Sequence, residues 1–151
     1  MPKPDWLAKL PSWSRPAALT DRRRRGQAAE RLAAAYLRGH GYAIEAANVR
    51  YRFAELDLVA IESETLCFIE VRSVSSGRFG SALDSVTSRK QAHILRAARA
   101  YLQRRRPAWP GPIRFDIVAI ELDDRDRPAP KLVRNAFDAS SVAGGREPLP
   151  W

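Results

Sequence analysis

Cysteine occurs once in this chain, at Cys67, so no disulfide can close within it and no thiolate zinc cluster can be assembled. Histidine occurs only at His40 and His93, too few for a His-rich metal centre. A bound metal would therefore sit on oxygen ligands, which favours Mg²⁺ or Mn²⁺. No apolar run approaches the length of a membrane span. The opening "MPKPDWLAKLPSWSRPAALT", broken by Pro2, Pro4, Pro11 and Pro16, lacks the apolar core of a secretory signal. A soluble cytoplasmic protein with no membrane contact is expected. Acidic residues are in the minority: 17 Asp and Glu face 26 Lys and Arg, a net charge of +9 carried mostly by arginine. That balance points to a polyanion partner, nucleic acid ahead of a membrane surface. A GC-rich genome also yields arginine-rich chains, so charge alone does not decide.

With 151 residues and 45% hydrophobic content, one domain of ordinary core size is expected. Residues 1–19, punctuated by proline, read as an N-terminal extension. Residues 20–138 read as the domain, and 139–151 as a flexible tail. Thr20 and Asp21 are N-cap types ahead of Ala29, Leu32, Ala33, Tyr36 and Leu37, which recur at helical spacing until Gly39 and Gly41. Glu30 lies on the edge of that apolar face. "YAIEAANVRY", "AELDLVAIE" and "TLCFIEVRS" follow as an antiparallel meander, then "SSGRFGSALDS" as a loop. A second helix is expected from Thr87 or Ser88 to Arg106. "IRFDIVAIEL" is then a strand that a crossover brings parallel to the sheet. Beyond it the sequence offers at most one short strand, near Lys131 to Arg134. The fold class is α/β: a mixed sheet of about four or five strands flanked by helices, with an acidic site at one sheet edge.

That site is read from charges set in apolar strands, where each costs several kcal/mol unless it is paired or binds an ion. Alternation puts Leu66, Phe68, Glu70 and Arg72 on one face and Cys67, Ile69 and Val71 on the other. In the preceding strand Glu55, Asp57, Val59 and Ile61 share a face, and its distance in sequence from Glu70 suits a neighbour joined by a tight turn. Asp57 and Glu70 can thus converge beside the Arg72 cation. The arrangement reads either as an inert ion-pair network or as a metal site for phosphodiester cleavage, in which acidic oxygens hold Mg²⁺ and a fixed cation steadies the phosphate.

At these residues the sequence resembles a known family. "GQAAERLAAAY", "ELDLVAI", "FIEVRS", "SVTSRKQ" and "IRFDIVAI" followed by "NAF" resemble the YraN-like bacterial proteins, over about residues 22–138. That family is similar to the PD-(D/E)-x-K nucleases, which include archaeal Holliday junction resolvases and type II restriction endonucleases. The resemblance implies a restriction-endonuclease-like αβββαβ core and a metal-dependent endonuclease acting on DNA, with branched or repair intermediates as substrates. It places Asp57 and Glu70 as metal ligands for Mg²⁺ or Mn²⁺ and Arg72 at the catalytic lysine position. Glu30 falls at the acidic position of the first helix, and Gln91 at a polar position on the helix after the motif. Two residues depart from the pattern. Ala54 replaces a glycine, and Arg72 replaces the commoner lysine with a guanidinium that keeps its proton at any working pH.

The competing reading is a noncatalytic nucleic-acid-binding module on a nuclease scaffold, which needs only a basic surface. Arg89, Arg96 and Arg99, with Arg106, make a one-sided stripe suited to a nucleic-acid backbone. Arg22 to Arg25 surround their helix and suit phosphates or solvent equally. DNA is favoured over RNA, and a homodimer is left open. His93 reads as an ordinary surface or core histidine, and Trp6, Trp13, Trp109 and Trp151 as aromatics docking onto the domain.

Overall fold

The computed structural model describes residues 22–74, 79–123, 125 and 127–139. The N-terminal extension, Thr20 and Asp21, nearly all of the C-terminal tail, and Trp6, Trp13 and Trp151 lie outside the described residues. The elements run α1 (Arg22–Gly39), β1 (Ala43–Arg50), β2 (Glu55–Glu62), β3 (Thr65–Ser73), α2 (Phe79–Asp84), α3 (Ser88–Arg104), β4 (Ile113–Leu122) and β5 (Pro128–Phe137). The strands form one sheet in the order β1-β2-β3-β4-β5. β3 and β4 are parallel and every other neighbour pair is antiparallel. This is the αβββαβ core that the resemblance implied, with a short helix inserted and a strand appended.

α1 forms because Ala29, Leu32, Ala33 and Leu37 line one face, and all four are buried against the sheet. It stops in a Schellman turn. Gly41 takes φ 86°, Gly41 N–H donates to Arg38 O, and Tyr42 N–H donates to Leu37 O at 3.1 Å. α3 starts where the Thr87 hydroxyl accepts from Lys90 N–H, and it buries Ile94, Leu95, Ala97 and Ala98. The sheet thus has two dry faces. Leu58, Ala60, Cys67, Ile69, Val118 and Ile120 pack beneath α1. Val59, Leu66, Phe68, Phe115 and Ile117 pack beneath α3, where the Phe68, Phe115 and Phe137 rings stack in series. The strand alternation expected for β3 is the one observed. Trp109 docks as expected, its indole N–H donating to Pro112 O at 2.9 Å. No helix among the described residues is long and apolar enough to cross a membrane.

Three expectations need correction. The Gly/Ser-rich loop contains α2, held by the buried Ala82 and by Ser85 Oγ donating to Ala82 O. α3 ends at Arg104, and Arg106 turns back to donate to the carbonyls of Gln103 and Arg105, so it does not extend the stripe. β5 is ten residues long instead of four. Pro128 and Pro130 hid it, because proline forfeits a ladder donor; an edge strand has a row of donors that need no partner.

β5 is tied to the sheet by side chains as well as by its ladder. Asp116 is fully buried on the α1 face. It accepts from Arg114 Nε and Nη2 at 2.8 and 2.9 Å and from Asn135 N–H at 2.9 Å. Asn135 sits at φ 51°, by the register shift between Phe115 and Ile117. Arg114 also donates to Glu62 and to the Tyr42 hydroxyl, and Arg134 of β5 pairs with Glu62 at 2.7 Å. Asp116→Ala leaves the Asn135 N–H without its acceptor and Arg114 with Glu62 as its remaining carboxylate, and is expected to lose about 1.5–3 kcal/mol of stability in urea unfolding. A loss below about 1 kcal/mol would show that this network does not hold β5.

Candidate functional site

β2 and β3 pair from Glu62↔Thr65 to Leu58↔Ile69 and then part. At that point a carboxylate takes over from the ladder: Asp57 Oδ2 accepts the Val71 N–H at 2.9 Å. Asp57 is thereby locked between the two strands. Glu70 follows Ile69, the last residue of β3 paired with β2, faces α3, and is only 4% exposed. Its Oε1 lies 3.3 Å from Lys90 Nζ and 3.4 Å from Arg72 Nε. Arg72 is anchored at its far end by a hydrogen bond from Nη2 to Ser85 O at 3.4 Å. The carboxylates lie on the second and third of five strands, not at the sheet edge that was expected.

Burial is the main force on both acids. It pushes the Glu70 carboxyl up to about 7, and the neighbouring Asp57 adds to the rise while Lys90 and Arg72 oppose it. Burial also raises Asp57, against the pull of the Val71 N–H and of Lys90. Two cations are therefore present, yet they do not keep both acids in the ordinary range.

Glu30 reaches the same region from α1. Its carboxyl is raised by burial and, more weakly, by Asp57 and Glu55, while a side-chain hydrogen bond with Asn48 opposes the rise. Asn48 adopts φ 53°, a left-handed conformation asparagine tolerates, between the pairs Ala47↔Leu58 and Val49↔Leu56. It therefore stands opposite Asp57. Glu30 Oε2 is buried with no hydrogen-bond partner among the described residues, a costly state for a carboxylate oxygen.

The contact from α3 to Glu70 comes from Lys90. Gln91 spends its amide on Val86 O at 3.0 Å, in the turn between α2 and α3. Sequence reasoning missed Lys90, although a signal was there. It precedes the buried Ile94 by one helical turn, so it is a charge on the apolar face of α3, above a strand that carries a buried acid. Arg89, Arg96 and Arg99 are exposed along α3, as the stripe required. Cys67 is buried and its thiol is pushed up to about 12 by burial, which makes it a poor nucleophile. Among the described residues no group of three or more His, Cys, Asp or Glu side chains is drawn together as a metal centre. The acidic constellation is the Asp57–Glu70 pair with Glu30 behind it.

The direction of the Glu70 shift fixes a pH dependence. Its folded value of about 7 lies above the ordinary 4.5, so the folded chain keeps a proton that the unfolded chain has lost. The resulting stability is complete below about pH 4.5 and disappears as the pH rises through about 7. In a chelating buffer, wild type is expected to lose urea resistance over that window, and Glu70→Gln to lose less. Parallel pH profiles for the two proteins would contradict the buried-acid account.

The chain matches the model of "Uncharacterised protein family UPF0102" over residues 29–120, a span from within α1 to within β4 that includes Glu30, Asp57, Glu70, Arg72, Lys90 and Gln91. A UPF0102 protein of Symbiobacterium thermophilum is 41% identical over 117 residues, which cover 78% of this chain and 98% of the relative. One from Pseudomonas aeruginosa is 40% identical over 126 residues, covering 80% and 100%. One from Nitrosococcus oceani is 46% identical over 98 residues, covering 65% and 79%. The chain belongs to the uncharacterised protein family UPF0102, the YraN-like proteins that its motifs resembled.

Proposed function

We propose that this protein is a metal-dependent endonuclease of the PD-(D/E)-x-K type, hydrolysing phosphodiester bonds in DNA. The observation that carries the reading is the carboxylate pair, Asp57 half-buried and Glu70 buried, meeting where two central strands part, with two cations beside Glu70. A divalent ion fits the donor set. The ligands are oxygens, Glu30 Oε2 lacks a partner among the described residues, and burial raises both acids in spite of Lys90 and Arg72. Asp57 and Glu70 would hold Mg²⁺ or Mn²⁺, with water completing the shell and Glu30 ordering one such water. When bound, the ion supplies Lewis-acid charge on the phosphate and an acidified water.

The side chains do the rest. Arg72, fixed by Ser85 O, presents its guanidinium to a phosphate oxygen but cannot give up a proton. Lys90 adds a compact ammonium at the same carboxylate, and an ammonium can move a proton where a guanidinium cannot. Arg89, Arg96 and Arg99 lie on the same helix as Lys90 and would follow the DNA backbone. DNA is the proposed partner ahead of RNA, with a cytoplasmic location. The noncatalytic alternative draws on one observation: Arg72 and Lys90 already neutralise Glu70 in part without any metal.

Titrating Mg²⁺ or Mn²⁺ into chelator-treated protein is expected to raise the melting temperature of wild type, by the equivalent of about 2.7 kcal/mol at a hundredfold excess over Kd. Asp57→Ala and Glu70→Ala should lose most of that gain and all cleavage of linear, flapped or four-way-junction DNA. Equal shifts in all three proteins would remove the metal site.

Single-turnover cleavage tests Arg72 separately. Arg72→Ala is expected to lose about tenfold to a thousandfold in rate with metal affinity nearly intact. Arg72→Lys should retain measurable cleavage. An alanine variant as fast as wild type would reduce Arg72 to an ion-pair partner of Glu70.

A further inference from the structure

We infer that the tip of the β1–β2 hairpin is a stacking platform for an unpaired base, so that the nucleic acid bound here carries a single-stranded segment. The inference rests on the nucleic-acid reading above and adds the class of substrate. The turn Tyr51-Arg52-Phe53-Ala54 is closed by Tyr51 N–H donating to Ala54 O at 2.8 Å. The Tyr51 and Phe53 rings stack with centroids 5.7 Å apart and planes 9° from parallel. Tyr51 is half-buried against the core beneath α3 and anchors the pair, whereas Phe53 is 41% exposed. Phe53 and Leu122 are the exposed large hydrophobics among the described residues.

The tip is built in a polyanion-binding setting. From α3, the Arg96 guanidinium lies 4.8 Å from the Phe53 centroid and that of Arg104 lies 5.0 Å from the Tyr51 centroid. Arg50, paired with Glu55 at 3.5 Å, precedes the rings and Arg52 lies between them in sequence, and Arg89 and Arg99 are exposed on α3. Phe53 precedes Asp57 by four residues, so their Cα atoms lie at most about 14 Å apart. A strand with one phosphate at Asp57 and Glu70 would carry its neighbouring nucleotides across the tip. A flat ring graded with guanidinium planes fits a nucleobase. The base either stacks on the Arg96 plane or replaces that flexible side chain on Phe53. Bases inside a blunt duplex are covered by one another and cannot use such a platform. A membrane is a poorer fit, since one phenyl ring offers little apolar area to insert.

The test is fluorescence anisotropy with labelled oligo-dT, a flapped duplex and a blunt duplex, in chelator so that nothing is cut. Phe53→Ala is expected to weaken oligo-dT and flap binding by about 5- to 150-fold, the range for loss of one base–aromatic stack. Blunt-duplex affinity should change less than about twofold, and the dependence on salt should keep its slope because no phosphate contact is lost. Phe53→Trp should restore binding, and matching melting temperatures would verify that the fold is intact. Equal oligo-dT affinity for wild type and Phe53→Ala overturns the platform while leaving the nucleic-acid reading standing. Equal losses on single strand and duplex overturn stacking as the mechanism. If wild type ignores all three probes, or binds phosphatidylserine vesicles instead, the nucleic-acid reading fails and the platform with it.

Discussion

The parallel pairing of β3 with β4 is the constraint on which the rest of the molecule depends. It runs without interruption from Leu66↔Ile113 to Ser73↔Ile120. Parallel strands cannot be joined by a tight turn, so the chain between them must cross a face of the sheet. That crossing carries α2 and α3, buries Phe68, Phe115 and Ile117, and brings the first turn of α3 over the end of β3. Glu70 and Arg72 thereby acquire Lys90 and the Ser85 carbonyl as neighbours. α1 covers the opposite face, and Glu30 arrives from that side.

Charge is buried at both ends of the sheet, with opposite results. At the start of β3 and β4, Asp116 is met by Arg114 and the Asn135 N–H, and Glu62 by two arginines. Donors match acceptors there, and hydrogen bonding from Arg134 holds the Glu62 carboxyl down at about 2. At the other end burial raises the carboxyls of Asp57, Glu70 and Glu30, and Glu30 Oε2 has no hydrogen-bond partner among the described residues. The same residue types form a closed structural clamp in one place and an acidic cluster in the other. Short hydrogen bonds close the first group, whereas the cations beside Glu70 stand at 3.3 and 3.4 Å.

The hairpin tip and α3 lie next to each other beyond this cluster. Arg96 and Arg104 reach from the helix to the Phe53 and Tyr51 rings, so the hairpin that leads into Asp57 is held by the helix that carries Lys90. A ligand touching that helix would therefore bear on the carboxylates from two sides.

Much of this was legible in the sequence. Periodicity of 3.6 placed α1 and α3, and period-two alternation placed β2 and β3 and set Glu70 and Arg72 on one face, because burial of alternate residues is a local property of the backbone. The charges in "ELDLVAI" and "FIEVRS" marked the site because an acid in an apolar strand needs a reason. Other features depended on position in the finished sheet. β5 escaped notice because Pro128 and Pro130 are acceptable only on an edge, and being an edge is a property of the whole sheet. Lys90 and Gln91 are adjacent and both polar, and only the placement of α3 over β3 decided which of them meets Glu70. Residue types and spacing determined which elements form and which faces they bury. The crossover decided which charges meet, because an ion pair between residues 70 and 90 is made by geometry that no local pattern contains.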